Sequence, residues 1–85
     1  MTQAALVHHP GVILKREIEA RGWTPEVLAI RLGVPKTYVY ALLIGGLNID
    51  VRLALDLERI VGPSAEMWLS MQMNYDLFMA RKELE

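Results

Sequence analysis

Pro10, Pro25, Pro35 and Pro63 stand where helices can begin, and Gly22, Gly33 and Gly62 stand where helices can end. Proline has a fixed φ and no N–H to lose in a first helical turn, whereas glycine accepts the left-handed conformation that closes a helix. This punctuation allows only short segments before residue 63 and one long segment after it. It predicts five helices, over residues 11–21, 25–32, 36–43, 51–61 and 65–83. No stretch alternates with period two for long enough to predict a strand. The expected fold class is therefore all-α.

Capping residues and apolar spacing agree with that division. Leu14 and Ile18, one turn apart, give the first helix an inner face and leave Lys15, Arg16 and Glu19 outward. Thr24 is a good N-cap for the second helix, with Pro25 in its first turn and Glu26 favourable at the positive end. Leu28, Ala29 and Leu32 form its inner face, and the small Ala29 lets the next helix approach closely. Gly33 ends it and Val34 fills the corner. Val39, Leu42 and Leu43 anchor the third helix, and Asp50 caps a fourth whose stripe is Leu53, Leu57, Ile60 and Val61. Ser64 caps the fifth.

The fifth helix carries two apolar stripes. At 100° per residue, Met67, Trp68, Met71, Tyr75, Phe78 and Met79 fall on one face. Leu69, Met73, Leu77, Ala80 and Leu84 fall on the opposite face, with Gln72, Asp76 and Glu83 in a polar seam between them. A surface helix needs one stripe. Two leave two readings open: a helix central to its own bundle, or one packed on its own core by one face and on a second subunit by the other. The second makes Leu69, Met73, Leu77, Ala80 and Leu84 dimer-interface candidates.

Composition narrows the function classes. A chain of 85 residues is at most one domain, and its hydrophobic fraction of 53% is high for that size. Either the core is dense or an apolar face is kept for another chain. Without cysteine, disulfides and thiolate metal sites are excluded. The N-terminal "MTQAALVHHPG" lacks the basic and apolar regions of a signal peptide, and no apolar run approaches membrane-spanning length. A cytoplasmic protein with no membrane association is expected. Net charge is −1, unevenly placed: residues 50–85 carry seven acidic groups against four basic, whereas residues 23–49 carry one against two. A domain that grips nucleic acid by charge alone is usually more basic.

Two short helices joined through "LGV", the first carrying a small Ala29, have the spacing of a DNA-binding helix-turn-helix at about residues 24–43. The wider pattern, "HPGVILKREIEARGWTPEVLAIRLGVP", then "LLIGGLNID", then "LALDLERIVGPSAEMWLSMQMNYDLFMA", resembles the HigA-type antitoxins, a branch of the lambda-repressor-like (Xre) helix-turn-helix family. The resemblance runs from about His9 to Ala80. It implies an N-terminal arm (residues 1–9), a five-helix domain (10–85), and a C-terminal dimerisation helix at about 64–84. It further implies a homodimer on palindromic double-stranded operator DNA, and a partner toxin, typically a HigB-like RNase. The antitoxin is a transcriptional regulator and not an enzyme.

The resemblance carries over unevenly to the reading residues. Lys36 keeps the usual basic group at the start of the recognition helix, and Thr37 still offers a hydroxyl. Pro25 stands where the family usually has Gln, Pro35 where it has Ser, Tyr40 where it has Ser, and Ile44-Gly45-Gly46-Leu47 where it has Asn-Gly-Lys-Arg. The DNA-binding candidates are Thr24, Lys36, Thr37, Tyr38, Tyr40, Gly45, Gly46 and Asn48. Lys36 and Thr37 suit base edges or phosphates, tyrosine hydroxyls suit phosphates, and the glycines allow close backbone approach. Few basic contacts predict weaker binding and a shallow salt dependence. Two alternatives stay open: a helix-turn-helix scaffold turned into a protein-docking module through Tyr38, Tyr40, Ile44 and Leu47, or a free-standing repressor without a toxin.

Other features carry less. Adjacent His8 and His9, with no Cys or carboxylate at ligand spacing, make a poor metal site and fit the arm better. Gly45-Gly46 lacks the strand and spacing of a phosphate-binding loop. No nucleophile is paired with a base, and no cofactor is expected. Trp68 lies on the core stripe and Trp23 at a helix junction. Met67, Met71 and Met79 read as core filling, and Met73 as interface.

Overall fold

The computed structural model describes residues 7–85 as five helices: α1 (Pro10–Ala20), α2 (Pro25–Leu32), α3 (Lys36–Leu43), α4 (Val51–Ile60) and α5 (Ala65–Glu83). No strand occurs among the described residues. Residues 1–6 of the expected arm lie outside the described residues. The helices match the predicted segments to within one residue at each end, because the caps act as expected. Thr24, Asp50 and Ser64 each accept, through a side-chain oxygen, the N–H three residues on. Gly33 closes α2 at φ 74°, and the Val34 N–H returns to the Ala29 carbonyl.

Leu14, Ile18, Leu28, Val39, Leu42, Leu57 and Trp68 are fully buried in one core to which all five helices contribute. Trp68 places its indole N–H on the Gly62 carbonyl at 3.1 Å, so the largest buried side chain leaves no polar atom stranded. Arg21, at the end of α1, bonds both Glu17 and the Val61 carbonyl, tying α1 to the end of α4. Its guanidinium and that of Arg31 lie 5.8 and 4.2 Å from the half-buried Trp23 ring.

The "HPG" sequence forms a joint. His9 is the N-cap of α1: its Nδ1 accepts the Gly11 N–H at 2.9 Å, Pro10 fills the first helical position, and both His9 and Pro10 are buried. A Cβ on Gly11 would run into the Leu42 carbonyl oxygen, so glycine is what lets α1 close on the C-terminal end of α3. The His9 ring meets Tyr75 of α5 edge-on, with centroids 5.1 Å apart, and Gly45 lies against it. His9, expected with His8 in the N-terminal arm, is thus part of the core edge.

Helix α5 departs from the expected pattern in two respects. Gln72, placed in a polar seam by periodicity, is buried: its Oε1 accepts the Ile49 N–H at 2.7 Å, and its Nε2 reaches Asn48 and Asp76. Met67 and Met79, expected as core filling, are exposed: Met67 sits on the outer side of the packed first turns, beside buried Ala65 and Trp68, and Met79 lies in the half of α5 beyond its last buried residue. After Gln72 no residue of α5 is buried. The helix is about 28 Å long by its 19 residues.

Candidate nucleic-acid interface

Lys36, Thr37 and Tyr40, at i, i+1 and i+4, form an outward stripe on α3. All three are exposed, while Val39 and Leu42 hold the helix down from its other side. The N-cap of α3 is Pro35, which offers no side-chain cap. Thr24 stands at the start of α2, exposed, with its hydroxyl oxygen engaged by the Val27 N–H at 3.2 Å. Between them lies Glu26, which sequence reasoning treats only as a helix-dipole residue. The Tyr40 hydroxyl donates to its carboxylate at 2.7 Å.

That bond shifts both groups further from titration at neutral pH. Foremost, the hydroxyl of Tyr40 holds the Glu26 carboxyl below its ordinary value, helped by the backbone N–H of Glu26, by Lys36 and by Thr24. The carboxylate in turn pushes the Tyr40 hydroxyl up. At neutral pH Glu26 is an anion and Tyr40 keeps its proton, committed to Glu26. Tyr40 therefore has only a lone pair and its ring edge left for a further contact.

The remaining candidates divide. Tyr38 is half-buried and points away from the stripe, lining a cleft of about 310 Å³ with Leu32, Val34, Asp50 and Leu53. Gly45 (φ 82°) and Gly46 donate their N–H groups back to the Leu42 and Ala41 carbonyls, closing α3. What they leave available is close approach of the backbone. Asn48 is exposed and its Oδ1 accepts from Gln72 at 3.3 Å, linking the α3–α4 loop to α5. No three His, Asp or Glu side chains converge as a metal site among the described residues.

Of the second stripe on α5, Leu69 packs partly on the chain's own core. Met73, Leu77, Ala80 and Leu84 are exposed, Met73 by 56% and Leu84 by 86%. Sequence periodicity places these residues on one face but carries no signal for Gln72 or Glu26, whose partners are 23 and 14 residues away.

No family model matches the chain. Virulence-associated protein I of Dichelobacter nodosus is 36% identical to it over 76 residues, which span 88% of this chain and 70% of that protein. Among solved structures, an addiction module antidote protein of a HigA family from Coxiella burnetii has a TM-score of 0.84 at 36% identity, covering 91% of this chain and 85% of the other. The protein PA4674 of Pseudomonas aeruginosa, solved in complex with its 28 bp operator DNA, has a TM-score of 0.80 at 31% identity, covering 87% and 82%. The likeness covers most of the chain, in sequence as well as fold. The chain belongs to the HigA family of antidote proteins.

Proposed function

We propose that the chain is an antitoxin-type transcriptional regulator that binds double-stranded operator DNA as a homodimer and neutralises a HigB-like toxin. It acts by binding and not as an enzyme. The observation that carries the DNA reading is the exposed Lys36–Thr37–Tyr40 stripe on α3, in a chain built like a relative solved on its operator. Lys36 and Thr37 contact base edges or phosphates, Thr24 and Asn48 flank them, and the Gly45–Gly46 backbone permits close approach. Of the two tyrosines, Tyr40 offers its ring edge beside Lys36, since its hydroxyl proton is given to Glu26, while Tyr38, turned into the cleft with Asp50, makes no phosphate contact. The domain, expected over residues 10–85, takes in His9 as the cap of α1, which leaves residues 1–8 of the expected 1–9 to the arm. No described helix is long and apolar enough to cross a membrane, and we place the protein in the cytoplasm.

The homodimer rests on α5. Its half beyond Gln72 presents Met73, Leu77, Ala80 and Leu84 exposed among the described residues, and an exposed apolar stripe of this kind favours a second chain. Symmetric pairing through this helix sets two reading helices on one duplex, as palindromic half-sites require.

The test is fluorescence anisotropy with the duplex upstream of the chain's own gene, against a scrambled duplex, at 50 and 200 mM salt. Roughly two to four phosphate contacts per dimer predict an affinity loss of about 10- to 150-fold over that range, against about 10³- to 10⁵-fold for six to ten contacts. Absence of selectivity refutes operator reading. It would favour the protein-docking alternative, for which the exposed Ile30 and Ile44 beside the reading helix speak (80% and 83% exposed).

A further inference from the structure

The surface that would meet a polyanion carries a fixed anion of its own. Glu26 is exposed near the start of α2, and Tyr40, a member of the α3 reading stripe, holds its carboxylate at 2.7 Å. Lys36, the stripe's one cation, is close enough to act on the same carboxylate. No cation bonds it: the three ion pairs in the described structure involve Glu17 and Asp56. An unrestrained surface glutamate can turn into solvent when a phosphate approaches. Tyr40 withholds that freedom, since turning away breaks a charge-assisted hydrogen bond.

Resting on the DNA-binding reading given above, we propose that Glu26, positioned by Tyr40, is an affinity-setting residue that weakens binding to every duplex, whatever its sequence. The repulsion is Coulombic and acts on the phosphate backbone, which is the same for all sites. It partly offsets Lys36 and leaves the preference among bases untouched. The carboxylate is charged across the neutral range, as an exposed glutamate ordinarily is, and hydrogen bonding from Tyr40 favours that form further. A repressor braked in this way occupies its operator only at higher protein concentration and releases it readily.

The charge is tested by Glu26→Gln, which keeps an oxygen acceptor for Tyr40, beside Glu26→Asp, which keeps the charge on a shorter stem. The probes are the upstream duplex and a scrambled duplex, by anisotropy at 50 and 500 mM salt. A unit charge near a phosphate in water contributes about 1 kcal/mol, so Glu26→Gln should tighten binding about 5-fold per half-site and about 25-fold for a dimer, equally on both duplexes. The gain should shrink at 500 mM salt, where charges a few ångströms apart are screened. Glu26→Asp should bind like the unaltered protein. Affinity unchanged or weakened by Glu26→Gln, or a gain confined to the upstream duplex, overturns the proposal while leaving operator reading intact. If the unaltered protein and both variants ignore the upstream duplex, operator reading fails, and the affinity-setting role fails with it.

Discussion

Protonating His9 should loosen the domain, because one ring serves three elements. Its Nδ1 caps α1 by accepting the Gly11 N–H, its ring packs edge-to-face with Tyr75 of α5, and Gly45 of the α3–α4 loop lies against it. Accepting at Nδ1 leaves the ring hydrogen on Nε2, which is buried without a well-formed hydrogen bond among the described residues. Burial lowers the pKa of His9 from the ordinary 6.5, the strongest influence on it, while the Leu47 carbonyl and Asp76 pull less strongly the other way. The other titratable group against the ring is Tyr75. The unfolded chain therefore takes up a proton before the folded one as pH falls. The stabilisation is fully present above pH 6.5 and is lost as pH drops from there through the lowered folded value.

The size of the effect follows from the contacts. Losing an N-cap costs about 0.5–2 kcal/mol, and an edge-on aromatic contact contributes about 0.5–1.5 kcal/mol. His9→Ala should thus destabilise by roughly 2 kcal/mol, a substantial share of the roughly 4–13 kcal/mol expected for 85 residues. In a domain of this size that lowers Tm by about 8–16 °C. His9→Asn restores a cap acceptor that does not titrate. Thermal unfolding followed by circular dichroism at pH 7.5 and 5.0, at one fixed protein concentration, separates the two contributions. His9→Asn should recover about half of the loss at pH 7.5 and show a smaller drop in Tm at pH 5.0 than the unaltered chain. Equal drops in both would refute the argument that His9 is kept neutral by its place in the fold.

Three further outcomes are expected. Met73→Glu puts a charge on the exposed α5 stripe and should give a monomer by light scattering; an unchanged dimer mass would place the interface elsewhere. Lys36→Ala should abolish the preference for the upstream duplex over a scrambled one, and a variant that still discriminates would show that α3 is not the reader. Gly11→Ala gains up to about 1 kcal/mol in helix propensity, but its methyl must displace the backbone at Leu42, and overpacking costs about 1–3 kcal/mol. Because the obstacle is backbone, overpacking should win, lowering Tm; a raised Tm would show that α1 can shift without loss.

The helices were legible in the sequence because their determinants are local. Thr24, Asp50 and Ser64 cap within three residues, and Gly33 closes α2 within one turn. The α3 stripe follows from helical spacing alone. The features that sequence reasoning missed depend on partners far along the chain. Gln72 looks like a surface residue until α5 lies against the loop carrying Asn48 and Ile49. His9 gives no periodic signal, since it precedes its helix; the hint was Pro10 after it, which marks the previous residue as a cap position. The Glu26–Tyr40 bond needs the angle between α2 and α3, which neither segment encodes separately.

The amide of Ile49 extends what Gln72 does to a different observable. Loop amides ordinarily exchange hydrogen with solvent through small local openings. This one is buried and donates to a side chain rooted in α5, 23 residues on. Freeing it requires α5 to lift from the loop, which also uncovers Trp68 and the core around it. Its exchange should be among the slowest in the chain, outside any helix though it lies. The stretch that ends α3 and starts α4 thus belongs to the same cooperative unit as the longest helix. On the operator-binding reading proposed above, a duplex meets a stiff edge here, and the adjustment on binding falls to the DNA.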